Sequence, residues 1–112
     1  MKTVWIANAQ EVIDTLVGSG AETYEWYRKL DITDEEQIVC KMETGDTTDD
    51  GKVITKSVTF SPSRAKAVVN AIIKEKKAGW QVVQSAVDSD DFDSDASDVV
   101  LQHIVLGDLV FG

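Results

Sequence analysis

Residues 36–60, EQIVCKMETGDTTDDGKVITKSVTF, carry the firmest signal of β-structure in this chain. In the first half, Ile38, Cys40 and Met42 face one way and Lys41 and Glu43 the other, the period of two that is typical of a strand with one buried face. The second half is rich in β-branched residues, which favour strands. Asp50-Gly51, between the halves, is a favoured hairpin turn pair. The segment therefore predicts a β-hairpin with strands at 36–44 and 52–60.

The segments on both sides of the hairpin predict helices. Upstream, Asn8 followed three residues later by Glu11 is a capping box, and it opens a helix that ends at Gly18-Ser19-Gly20. Downstream, Ser61-Pro62 places a capping residue before a proline at the first helical position, and Gly79 is the expected stop. The buried stripe of this second helix is predicted to be Ala65, Val68, Val69, Ile72 and Ile73.

Three further elements complete the predicted fold. Tyr24, Trp26, Leu30 and Ile32 stand at even spacing and favour a strand over 24–32, with a short helix as the competing interpretation. A strand is also predicted at 80–87. The last helix is predicted to open at Ser97 or Asp98, run to about Leu106 and end at Gly107. Together these elements predict a single α+β domain over 1–112, with an antiparallel sheet of about three to four strands and two to three packed helices.

Composition narrows the class of protein. The 112 residues are 43% hydrophobic with a net charge of −9, as expected of a soluble globular domain. No apolar run approaches the roughly 18–20 residues of a membrane span. The start, MKTVWIANAQE, lacks the apolar core of a signal peptide, which predicts a cytoplasmic location. The single cysteine excludes an internal disulfide and any multi-cysteine metal site.

The negative charge is concentrated in one predicted loop, 88–98, DSDDFDSDASD. Without its six aspartates the net charge of −9 would be −3, and the stretch 61–79 is locally basic. This distribution disfavours a DNA mimic, which needs carboxylates along a whole face. It fits an acidic plug that enters the basic cleft of a partner, such as a nucleic-acid-processing enzyme. The predicted partner-binding aspartates are Asp88, Asp90, Asp91, Asp93, Asp95 and Asp98.

The same loop is a weak candidate for calcium. Asp91, Asp93 and Asp95 stand at i, i+2 and i+4, as in the first half of a calcium-binding loop. Ala96 then replaces the expected glycine, and Gln102 replaces the bidentate glutamate. A solvated loop, or one that binds a protein partner, explains the aspartates better. No other metal site and no cofactor motif is predicted.

The remaining residue types do not indicate an enzyme. His103 lies in an apolar helix, Cys40 faces the predicted core, and no nucleophile motif accompanies either. The aromatic cluster at 24–27 is interpreted mainly as core, with Trp26 as the exposed anchor for a protein partner. Its flanking glutamates disfavour direct binding of nucleic acid.

The segment 99–111 is unusually apolar. Burial of all of it requires a central core helix. If part of it stays exposed, a homodimer or a heteromeric interface is expected, because large apolar patches rarely face water without a partner.

The stretch 95–112, DASDVVLQHIVLGDLVFG, resembles the closing signature of small acidic proteins encoded by phages and prophages. Gly20 followed by Tyr24 and Trp26 is also similar to that group, whereas Leu106 stands where an aromatic often precedes the signature glycine. The matching residues of the signature are Asp95, Ala96, Asp98, Leu101, Gln102, Gly107, Asp108, Phe111 and Gly112.

The resemblance implies an accessory phage protein that acts in the bacterial cytoplasm, and it carries no established activity. Combined with the charge pattern, it predicts a non-enzymatic protein that binds and modulates a host protein through the acidic loop and the apolar C-terminal surface. The alternatives are a self-associating structural or assembly module and, less favoured, a calcium-binding module.

Overall fold

The predicted hairpin supplies the central strand and one edge strand of the sheet. The computed structural model describes residues 14–89 and 91–111. Its three strands form one antiparallel sheet in the order β1-β2-β3. The chain also contains a short 3-10 helix, and residues 14–17 are helical. The elements are the 3-10 helix Ala21–Thr23, β1 (Tyr27–Ile32), β2 (Ile38–Thr47), β3 (Val53–Phe60), α1 (Pro62–Lys74), α2 (Trp80–Ser89) and α3 (Ser94–Leu106).

The register of the hairpin buries the alternate residues that the sequence predicts. Cys40 pairs with Val58, and Ile38, Cys40 and Met42 are fully buried. The connecting turn is closed by hydrogen bonds from Gly51 N to Thr48 O (2.9 Å) and from Thr48 N to Lys52 O (2.8 Å). Gly51 has φ 85°, the left-handed conformation that three-residue hairpin connections require at this position. The α+β class with a three-stranded antiparallel sheet is therefore confirmed.

The strand predicted at 24–32 begins later than expected. β1 starts at Tyr27, and the 3-10 helix precedes it. Tyr27 is buried, whereas Tyr24 and Trp26 lie before the strand and are half-buried. In the preceding segment, Gly18 N donates to Asp14 O (2.9 Å), so the helix ends at the glycines as predicted. The capping box at Asn8 lies outside the described residues.

Helix α1 begins as predicted but ends early. Ser61 Oγ accepts a hydrogen bond from Arg64 N (3.1 Å), and the five predicted apolar positions are all buried. The helix stops at Lys74 and not at Gly79. Lys76 takes φ 49°, while Lys77 N donates to Ile72 O and Lys76 N donates to Ile73 O. This is a Schellman end in which a lysine occupies the left-handed position that glycine usually takes.

The prediction of a strand at 80–87 is wrong, because Trp80–Ser89 forms helix α2. Its buried residues, Val83, Ala86 and Val87, follow helical spacing, and Val82 is 43% exposed. A short apolar run is ambiguous between strand and helix, and the i, i+3, i+4 spacing is the signal that separates them. The correction changes which residues share a face, because α2 contributes an exposed helical face.

Helix α3 begins before the predicted Ser97 or Asp98. Asp93 is its N-cap and accepts a hydrogen bond from Ala96 N (2.9 Å). Gly107, with φ 80°, ends it as predicted. The helix contacts α1, α2, β2, β3 and the 3-10 helix. Its buried set is Ala96, Ser97, Asp98, Val99, Val100, Leu101, Gln102, His103 and Val105.

The apolar C-terminal stretch is therefore a central core helix rather than a free surface. After α3, Val110 is the exposed large apolar side chain of this stretch, at 48%. Within the described residues, no helix combines the length and apolar character needed to span a membrane.

Candidate functional site

Asp98 is a buried hydrogen-bond acceptor that joins the aromatic cluster at 24–27 to helix α3. Its Oδ1 accepts from Trp26 Nε1 (2.9 Å) and from the Tyr27 hydroxyl (2.7 Å). Its Oδ2 accepts from Gln102 Nε2 (2.9 Å). The residue is only 7% exposed. A buried carboxylate with three hydrogen-bond donors is a structural contact of the fold. Asp98 is therefore not part of an exposed loop, contrary to the prediction from the sequence.

A second contact joins the same two segments at the protein surface. The Tyr24 hydroxyl hydrogen-bonds Asp95 and lies 3.2 Å from Ser94 Oγ. The hydrogen bond to Asp95 raises the pKa of Tyr24. For Tyr27, burial and then the hydrogen bond to Asp98 raise the pKa well above its usual value. Both phenols therefore remain protonated donors at neutral pH.

The residues after Gly107 pack back onto this centre, and we name 108–111 the closing segment. The side chain of Gln102, which is fully buried, accepts from Val110 N and Phe111 N (both 2.8 Å) and donates to Phe111 O (3.0 Å). The Phe111 ring stacks on Trp26, with centroids 5.0 Å apart and planes 5° apart. The two stretches that carry the phage resemblance are thus in direct contact.

These contacts divide the predicted partner-binding residues into two groups. Trp26 is half-buried between Tyr24 and Phe111, and its indole N–H is bonded to Asp98, so it is not a free anchor. Asp98 is buried, and Asp95, although exposed, is bonded to Tyr24 and does not line the depressions on α2. The aspartates that the structure leaves on the surface around α2 are Asp88, Asp91 and Asp93, and Asp90 lies outside the described residues.

The exposed aspartates surround two adjoining shallow depressions on α2. One, of about 430 Å³, brings Asp91 and Asp93 together with Val82 and the polar face of the helix. Its lining residues are Gln81, Val82, Ser85, Ala86, Ser89, Asp91 and Asp93.

The other depression, of about 490 Å³, lies along the same helix between Trp80 and Asp88. Lys76 Nζ lies 5.5 Å from the centroid of the Trp80 ring, so a cation already occupies one side of that indole. Gln84 Nε2 donates to Asp88 Oδ1 (2.9 Å), which orients the carboxylate. We name the two depressions together the α2 surface.

Sequence reasoning missed the contribution of α2 because it predicted a strand there. A helix places Gln81, Gln84, Ser85 and Asp88 on one face at i, i+3, i+4 and i+7, whereas a strand would divide them between two faces. The helical spacing of Val83, Ala86 and Val87 was the available signal. Amide, hydroxyl and carboxylate groups on one face can accept hydrogen bonds from a basic side chain.

The aspartates do not form a metal centre in the part of the chain that the structure describes. No group of three or more His, Cys, Asp or Glu residues there has metal-binding geometry. Asp93 caps α3 and Asp95 binds Tyr24, so these two carboxylates face different partners. The calcium interpretation of Asp91, Asp93 and Asp95 finds no support in this geometry.

The two residues with intrinsic chemical reactivity are in the core. Burial raises the pKa of the Cys40 thiol to about 12, so it is protonated and a poor nucleophile at neutral pH. His103 Nε2 donates to the carbonyl of Ala78 (2.8 Å) and ties α3 to the turn after α1.

Comparison with protein-family models, with curated proteins and with solved structures found no match for this chain.

Proposed function

We propose that this chain is a phage-encoded, non-enzymatic accessory protein that binds a bacterial host protein and inhibits it. The α2 surface is the binding site in this proposal, and a basic cleft of the kind found in nucleic-acid-processing or defence enzymes is its target. The observation that carries the proposal is the grouping of Asp88, Asp91 and Asp93 around the exposed face of α2.

Local electrostatics favour a cationic partner at this position. The C-terminal end of a helix carries a partial negative charge. Helix α2 ends at Ser89 with Asp88 in its last turn and no basic residue there, and Asp91 follows two residues later. The carboxylates and the helix end therefore repel each other. A lysine or arginine from a partner would relieve that repulsion and gain hydrogen bonds to the exposed carboxylates.

The α2 surface also offers the mixture of groups that protein interfaces use. Val82 is exposed beside the acidic depression, and the half-buried Trp80 lines the neighbouring one. Tryptophan is enriched among residues that dominate binding energy. The apolar residues of α3, in contrast, belong to the core, so the proposal places the apolar contacts on α2.

The test is capture of a host protein from bacterial lysate with three forms of the bait. The site variant carries Asp88→Asn, Asp91→Asn and Asp93→Asn. Asparagine caps helices about as well as aspartate, so α3 keeps its N-cap. The charge-matched control carries Asp34→Asn, Asp46→Asn and Asp49→Asn, at exposed positions away from α2.

The proposal expects one host protein at a stoichiometric amount with the natural chain and the control, and its loss with the site variant. The purified chain should then inhibit the captured protein. Equal capture by the site variant and the control would contradict the role of the α2 surface. Capture of no protein by any of the three baits would contradict the host-binding function.

A further inference from the structure

The closing segment is held in the manner of a bound peptide. It runs without helix or strand after Gly107. Its three hydrogen bonds to the core all use backbone atoms of Val110 and Phe111, and all three go to the side chain of Gln102. The Gln102 amide contacts only backbone atoms of the closing segment. Any extended segment that reaches this position can therefore make the same three hydrogen bonds.

The side-chain contacts of the segment select an aromatic residue. Phe111 lies flat on Trp26, whose other neighbour is Tyr24 at a centroid distance of 5.1 Å. At the preceding position, Val110 lies against Gly45, where an added Cβ would come within 3.1 Å of Val110 Cγ1. The bare glycine therefore leaves room for a side chain before the aromatic.

Two walls of the slot between Trp26, Gln102 and Gly45 are each held by one hydrogen bond that does not involve the closing segment. Asp98 binds both the indole N–H of Trp26 and the amide of Gln102. Trp26 and Gln102 would therefore each retain a hydrogen bond to Asp98 if the segment moved away. A site whose walls are preorganised in this way does not have to be rebuilt when one occupant replaces another.

We propose that the slot formed by Trp26, Gln102 and Gly45 binds an extended segment of a partner protein in which an aromatic residue follows an apolar one. The closing segment occupies the slot as an intramolecular competitor. This site is separate from the α2 surface and does not depend on its function.

The closing segment, as an intramolecular competitor, sets the affinity that a partner segment must exceed to occupy the slot. A short connection holds the closing segment near the slot at an effective concentration in the millimolar range. The apparent affinity for a partner is reduced in proportion to the fraction of open slots. A partner segment therefore binds when it makes contacts beyond those of the closing segment.

The test uses the 112-residue chain with Trp5→Phe and Trp80→Phe, which leaves Trp26 as the reporter among the three tryptophans. The probe is the capped peptide GDLVFG, and the control peptide is GDLVAG. In the Phe111→Ala variant of this chain, GDLVFG should change Trp26 fluorescence saturably at up to millimolar peptide. Binding should be at least about tenfold tighter than to the chain that keeps Phe111, because the aromatic competitor is removed.

The absence of a saturable response in the Phe111→Ala variant, or equal responses to both peptides, would overturn the proposal. If the Phe111→Ala variant does not fold, amide hydrogen exchange of the natural chain tests the proposal instead. The amides of Val110 and Phe111 should then exchange at least about a hundredfold faster than that of Leu101, since the segment opens locally. Equal rates would mean that it opens only with global unfolding, which overturns the proposal.

Discussion

At the level of single residues, Asp98 is the residue at which we expect substitution to lower stability most. Replacement of this buried carboxylate by asparagine puts an amide donor where three donors already converge, from Trp26, Tyr27 and Gln102. We expect Asp98→Asn to lower the free energy of unfolding by about 2–3 kcal/mol. Asp91→Asn, at an exposed position, should change it by less than about 0.5 kcal/mol. Urea unfolding of the two variants measures the difference, and equal losses would contradict the role of Asp98.

Cys40 and Tyr27 predict a loss of stability at high pH. Burial raises both pKa values in the folded state, that of Cys40 from 9.0 to about 12, so folding favours the protonated forms. Their contribution is complete below the unfolded pKa values and is lost as pH rises through the folded ones. Stability should therefore fall above about pH 9, by up to about 1.4 kcal/mol per pH unit for Cys40.

The alkaline effect of Cys40 can be isolated with Cys40→Ala. Between about pH 8 and about pH 10, unfolding of this variant should depend on pH less steeply than that of the natural chain, whatever its absolute stability. Above about pH 10 both chains should lose stability through Tyr27. Parallel pH profiles throughout would exclude Cys40 as the source.

At the scale of elements, the end of α1 offers a test of backbone strain. Lys76 adopts the left-handed conformation, which is about 1–2 kcal/mol less favourable for a residue with a Cβ. Its ammonium contact with Trp80 contributes about 0.5 kcal/mol at an exposed site. Lys76→Gly should therefore raise the free energy of unfolding by about 0.5 kcal/mol. As a control, Lys66→Gly, inside α1, should lower the free energy of unfolding by about 1 kcal/mol. If Lys76→Gly is destabilising as well, the backbone at Lys76 is not strained.

The elements differ in how far local sequence predicts them. The β2–β3 hairpin and the start of α1 were predictable because alternation, a turn pair and an N-cap are encoded by neighbouring residues. Helix α2 was mispredicted because its short apolar run also fits a strand, although the spacing of Val83, Ala86 and Val87 favours a helix. The start of α3 was misplaced by several residues, since Asp93, Ser97 and Asp98 are all competent N-caps and tertiary burial of Ser97 and Asp98 decides among them.

The candidate site depended on contacts that no local pattern encodes. The bond from Trp26 to Asp98 spans 72 positions, so the aspartate loop gave no sign that one of its members is buried. The charge pattern did indicate an acidic surface. The packing of the aromatic cluster at 24–27 on α3 is needed to tell which of the aspartates form that surface.

At the scale of the whole molecule, one group of exposed basic residues lies on α1 and one group of exposed acidic residues lies on the α2 surface. Arg64, Lys74 and Lys77 are exposed on or just after α1, whereas Asp88, Asp91 and Asp93 are exposed at the end of α2 and the start of α3. An uneven field of this kind steers a partner of opposite charge and is screened by salt.

Complex formation with the host protein should therefore weaken as salt rises from about 0.05 M to about 0.5 M, chiefly through a slower association rate. The site variant, which lacks three of these charges, should show a shallower salt dependence. Surface plasmon resonance of both chains against the captured protein measures the rates. Identical salt dependence would show that these carboxylates do not steer association.

The central claim is that the exposed aspartates of the α2 surface bind a host protein while Asp98 serves the fold. The most direct measurement is the molar ratio of captured host protein to bait for the site variant and for the charge-matched control, with both baits shown to be folded. We expect near-stoichiometric capture by the control and less than about a tenth of it by the site variant, a loss of at least about 1.4 kcal/mol. Equal ratios would contradict it.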